Sequence, residues 1–81
     1  MIYLSEHARK AMADDEITEE EVNTCLEHGE LEIKQQVRGE FRWGKKLSLK
    51  DKTIMVIYTE KESTKRVITC YTIRRKKWLN Q

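Results

Sequence analysis

The chain changes its hydrophobic period once, from 3.6 residues to 2, near Glu30. Before that point the apolar residues fall at helical spacing. Ala8, Ala11 and Met12 stand at i, i+3 and i+4 behind Ser5, a good N-cap, which predicts a first helix with a narrow apolar face. Asp14-Asp15-Glu16 interrupts it. A second helix is signalled by Thr18 with Glu21 three residues later, a capping box, and by Ile17 and Val22 in the hydrophobic-staple positions around that cap. Glu19, Glu20 and Glu21 suit the positive end of its dipole. Val22, Cys25 and Leu26 form its buried face. His28 falls in its last turn, and Gly29 is expected to end it in the left-handed conformation.

Beyond Glu30 the pattern alternates. Leu31, Ile33, Gln35 and Val37 interleave with Glu32, Lys34, Gln36 and Arg38. After a turn at Gly39, Phe41, Trp43, Lys45, Leu47 and Leu49 interleave with Arg42, Gly44, Lys46, Ser48 and Lys50. Residues 53–59 are apolar on both faces and β-branched, which marks a central strand. Residues 67–73 make a fourth. Short polar turns join these segments, so the expected fold is α+β: two N-terminal helices packed on one face of an antiparallel four-stranded sheet, one domain over residues 1–81. Ile2-Tyr3-Leu4 can add an N-terminal strand. The helices need the face bearing Leu31, Ile33, Val37, Phe41, Trp43 and Leu47. Lys34, Arg38, Arg42, Lys46 and Lys50 are then expected on the opposite face, beside Gln36 and Ser48.

Composition narrows the function. Of 81 residues 37% are charged, above the roughly 25% of an average domain, and no apolar run approaches the length of a membrane helix. The N-terminus lacks the features of a signal peptide, and two cysteines make no disulfide framework, so a cytoplasmic protein with free thiols and no membrane partner is expected. The net charge of +2 conceals an asymmetry: residues 1–32 hold ten acids and two bases, residues 33–81 fourteen bases and four acids. A basic half of this kind fits a large anion such as nucleic acid, or else one of two complementary charged surfaces on one domain.

Few residues carry chemistry. Cys25 and His28 form a lone C-x-x-H with no second pair, so no metal site is expected. The three glycines make no phosphate loop, and no carboxylate pair lies in an apolar setting. RNA cleavage through the 2′-hydroxyl suits what remains, because the nucleophile is in the substrate and no cofactor is required. His7, Arg38, Arg42, Lys46, Tyr58, Arg66, Tyr71 and Arg74 can supply its bases, acids and cations. His7, Arg42, Arg66 and Tyr71 are taken as the catalytic set, and Lys34, Arg38, Arg42, Lys46 and Arg74 as the nucleic-acid-binding set. Each also has a plain structural reading: a helix-capping histidine, sheet tyrosines, solvated arginines.

Ser5-Glu6-His7-Ala8, Met12 and Ile17-Thr18 through Val22, followed by Gly29, resemble the opening of a family of small bacterial and archaeal domains of uncharacterised function, S-x-H-A-x-x-R-M-x-x-R-x-I-[ST]-x-x-x-[VI]. The strand Val67 to Tyr71 resembles its end. Ala11 and Asp15 stand where that pattern has arginine. The family looks similar to the RelE/ParE and BrnT toxins. The resemblance implies two helices followed by an antiparallel sheet, and an mRNA endonuclease acting free or on the ribosome, with the sheet face as its site and an antitoxin covering it. It also leaves room for a non-catalytic nucleic-acid- or protein-binding module, including a ParE-like inhibitor of a protein such as gyrase. Trp78 and Leu79, beside the basic run that starts at Arg74, are expected at an interface with a second copy or with an acidic antitoxin segment.

Overall fold

Ser5 does two jobs at the start of the first helix. Its Oγ accepts the N–H of Ala8 at 3.0 Å and donates to the carbonyl of Ile68 at 3.1 Å, so the cap also fastens the helix to a strand 63 residues away. The computed structural model describes residues 2–73. They form β1 (Ile2–Leu4), α1 (Glu6–Asp15), α2 (Glu19–His28), β2 (Glu30–Val37), β3 (Glu40–Ser48), β4 (Thr53–Lys61) and β5 (Thr64–Ile73). The expectations for Arg74, Trp78 and Leu79 lie outside the described residues.

The fold is α+β, and both helices pack on one face of the sheet: α1 against β5, α2 against β3 and β4. The sheet has five strands, not four, in the order β1-β5-β4-β3-β2. The addition is β1, which runs parallel to β5 with Leu4 opposite Val67. Three residues are too few to display an alternation, which is why it reads weakly in sequence. β4 is the central strand, as its two-sided apolar composition requires. Ala8, Met12, Ile17, Val22, Cys25 and Leu26 from the helical layer meet Ile54, Val56, Tyr58, Val67 and Cys70 from the sheet in one core.

The capping box of α2 forms as expected, with Thr18 N–H to Glu21 Oε1 at 3.0 Å and Glu21 N–H to Thr18 Oγ1 at 3.1 Å. The glycine expectation is corrected. Gly29 has φ −71° and ψ 165°, extended backbone leading straight into β2. A side chain there is excluded for another reason: a Cβ would lie 2.5 Å from the Cys25 carbonyl oxygen and 3.0 Å from that of Lys46. The left-handed cap falls on Glu16 instead, with φ 55° and ψ 46°. There the N–H of Ile17 reaches Met12 O and that of Glu16 reaches Ala13 O. This is a Schellman arrangement, and it buries Ile17 beside Met12.

The second correction concerns which way the strands face. Leu31 pairs with Lys45, but Ile33 pairs with Gly44, leaving Glu32 as an extra residue in β2. This bulge inverts the facing of everything after it. Ile33 and Val37 therefore share the helix-free face with Arg42 and Lys46. Lys34 comes to the helix side, its Nζ 5.6 Å from the centre of the Phe41 ring. Ile33 and Ile57 close over Gly44, where a Cβ would come within 3.0 Å of both side chains. A second bulge, at Ile68, lies between Val67 and Thr69 in β5.

Candidate nucleic-acid interface

The five-cation face does not form as expected. Arg42 and Lys46 share the helix-free face, while Lys34 lies on the other, Arg38 occupies the β2–β3 turn with φ 53°, and Lys50 lies beyond the end of β3. The bulge accounts for Lys34, and turn geometry accounts for the other two. Several cations are also used inside the fold. Lys45 Nζ donates to the carbonyl of Leu26 at 2.7 Å, satisfying a free acceptor at the end of α2. Lys52 reaches Glu21 at 3.0 Å and the Glu16 carbonyl at 2.8 Å, joining both helix ends to the β3–β4 turn. Lys46 lies 3.7 Å from Glu32.

Three of the four candidate catalytic residues converge. A cleft of about 320 Å³ is lined by His7, Arg42 and Arg66, together with Glu6, Glu40 and Thr59. Each arrives on a different element. Thr59 on β4 pairs with Arg66 on β5, and Arg42 on β3 lies one residue past the last β3–β4 pair, Trp43 with Tyr58, so the three fall on the helix-free face. His7 enters from the first turn of α1, placed by the bonds of Ser5 to Val67 and Ile68. Tyr71 lies in an adjoining cleft of about 350 Å³ between α1 and β5, where His7 recurs with Lys10, Asp14 and Asp15. His7 thus borders both clefts. Tyr58 is buried in the core, and its hydroxyl pKa is raised, first by burial, then by the charges of Glu60 and Cys25. It takes no part in either cleft.

Arg42 makes its ion pair within the cleft. Arg42 Nε is shielded from solvent yet has no hydrogen-bond partner; Glu40 Oε1 lies 3.8 Å away, beyond hydrogen-bond reach. The carboxylates of Glu6 and Glu40 are the members that a search for cations overlooks. The signal for Glu40 is its place two residues before Arg42, which puts both on one strand face; Glu6 is the immediate neighbour of His7.

The thiols are buried and free. Burial pushes both Cys25 and Cys70 up to about 11. Among the described residues no group of three or more His, Cys, Asp or Glu is placed to hold a metal ion, and no helix is long and apolar enough to cross a membrane.

These features define a small two-layer α+β domain with a cleft at the junction of α1 and the sheet that brings two arginines and a histidine together with two glutamates. The chain belongs to the family described as a domain of unknown function, DUF4258, whose model matches residues 4–72 and so spans every member of both clefts. No curated protein and no solved structure matches it.

Proposed function

We propose that this chain is a toxin-like endoribonuclease, related to the RelE/ParE and BrnT toxins, that cleaves RNA through the 2′-hydroxyl and is held in check by an antitoxin. The observation that carries the reading is the convergence of His7, Arg42 and Arg66 with the carboxylates Glu6 and Glu40 in one cleft. The chemistry needs each type. A base, Glu40 or His7, takes the 2′-hydroxyl proton as that oxygen attacks phosphorus. Arg42 and Arg66 carry the added charge of the pentacoordinate phosphate. The bond to the 5′-oxygen breaks, and an acid returns a proton to it. The products are a 2′,3′-cyclic phosphate and a 5′-hydroxyl.

The test is incubation of the purified protein with a single-stranded RNA in EDTA, with product ends analysed. Cleavage leaving a cyclic phosphate, abolished by a 2′-deoxy substitution at the scissile position and reduced at least a hundredfold by Arg66→Ala or His7→Ala, supports the reading. Intact RNA, or cleavage unaffected by both variants, overturns it. The alternative is a non-catalytic binding module on the same fold. The ion pairs of Arg42 with Glu40 and Lys46 with Glu32 favour it, since they neutralise part of the face. RNA binding without cleavage would select it.

A further inference from the structure

β3 and β4 stop pairing before either strand ends. Their ladder runs from Ser48 opposite Thr53 to Trp43 opposite Tyr58. β3 nevertheless continues back to Glu40, held by β2, and β4 continues to Lys61, held by β5. The sheet therefore splits at this end into two hairpins. Between them lies a notch of about 260 Å³, lined by Glu40, Phe41 and Trp43 on one side and Thr59, Glu60 and Lys61 on the other. Residues 40–42 and 59–61 each turn a backbone edge toward it without a ladder partner. Phe41 is 44% exposed and stacks on Trp43, centroids 6.0 Å apart and planes 23° apart. Trp43 in turn rests against Tyr58 at 5.9 Å. Glu40 and Thr59 line both the notch and the cleft of His7, Arg42 and Arg66, so the two adjoin.

We propose that the notch is a subsite for one unpaired nucleobase, adjacent to a phosphate held by Arg42 and Arg66 in the cleft. A base has a flat apolar face and a polar edge. The exposed Phe41 ring, backed by Trp43, meets the face. The unpaired backbone edges and the Glu60 carboxylate, which lies 3.6 Å from Lys65 Nζ, meet the edge, the carboxylate accepting from an exocyclic amine. Lys61 lines the notch and Lys34 lies over the Phe41 ring, so each is placed to meet a neighbouring phosphate. A base held in its pair cannot enter between two hairpins, so the ligand is single-stranded. The proposal rests on reading the adjoining cleft as a nucleic-acid phosphate site.

The experiment uses 2′-deoxy oligonucleotides, which cannot be cleaved by the proposed reaction and so separate binding from chemistry. In a Trp78→Phe background Trp43 is the remaining tryptophan and reports on the notch directly. Single strands should quench its fluorescence, and a duplex of the same sequence should not. Phe41→Ala should weaken binding about tenfold, as loss of one stacked base does. Phe41→Tyr should restore it, and Phe41→Leu, apolar but not flat, should not. Equal binding by parent and Phe41→Ala, equal quenching by duplex, full binding by Phe41→Leu, or no binding of any single strand would each overturn the subsite. RNA cleavage that persists unchanged in Phe41→Ala defeats the subsite and leaves the nuclease reading standing. Phe41-dependent binding of single strands without RNA cleavage does the reverse.

Discussion

The carboxylate of Asp15 accepts the backbone N–H of Thr72 at 2.8 Å. The last turn of α1 thereby meets the stretch of β5 that β1, three residues long, does not cover. An arginine at this position could not accept this bond. Asp15→Ala and Asp15→Arg should each destabilise the fold by about 1–2 kcal/mol, because a bond to a charged acceptor is lost from a strand edge. Asp14→Ala, at an exposed neighbour, should change it by only a few tenths. Urea melts of the three variants test this, and equal effects at both positions would contradict it.

The two helix ends give predictions of opposite sign. Glu16→Gly should stabilise by about 1 kcal/mol, since glycine enters the left-handed region without the strain of a Cβ. Gly29→Ala should destabilise by about 2 kcal/mol or more, since its Cβ would collide with the Cys25 carbonyl. Thermal melts of both variants decide the matter; stabilisation by Gly29→Ala would refute the close approach.

Glu21 links stability to pH. Its bond with the Thr18 N–H, aided by Lys52 and opposed by partial burial, holds its carboxyl below the ordinary value of 4.5. A lowered folded-state pKa contributes stability that is present above 4.5 and lost as pH falls through the folded value. Stability should therefore decline on acidification across that window, and Glu21→Gln should flatten the decline. Thr18→Ala should cost about 1 kcal/mol at neutral pH. Denaturant melts at a series of pH values measure both effects, and parallel profiles for parent and Glu21→Gln would contradict the first.

Cys25 and Cys70, pushed up to about 11 by burial, should resist alkylation in the native protein at pH 8 and react in urea. Mass spectrometry before and after unfolding checks this. Modification of either thiol in the folded state at the rate of a free cysteine would count against its burial.

Replacing Arg42 and Arg66 together should lower the salt slope of single-stranded RNA binding by about 1.4, from roughly 0.7 per phosphate contact. Lys45→Met should leave the slope unchanged, because that ammonium is spent on the Leu26 carbonyl. Titrations across salt concentrations distinguish the two, and equal slopes for parent and double variant would remove both arginines from the interface.

Local chemistry made much of this molecule legible. Ser5, Thr18 and Glu21 announce the helix starts because a cap is decided by a few neighbouring residues. The strands show in their period of 2. Facing did not show, because one inserted residue, Glu32, leaves the alternation of β2 intact while reversing its relation to β3, and only the partner strand reveals that. Gly29 was legible as a necessary glycine, though its reason, the Cys25 and Lys46 carbonyls, belongs to tertiary packing. His7, Arg42 and Arg66 were legible by residue type. Their assembly depends on the pairing of three strands and on the anchorage of Ser5 to β5.

The forked end of the sheet has an evolutionary consequence. Both tines close with two-residue turns, Arg38-Gly39 and Glu62-Ser63, whose φ angles are all positive. Neither turn lies in the core cluster beneath the helices. Insertions or exchanges at these tips would reshape the notch proposed to hold a base without disturbing the residues that keep the chain folded. Sequence variation between relatives should therefore concentrate at the two tips, while thermal stability stays constant.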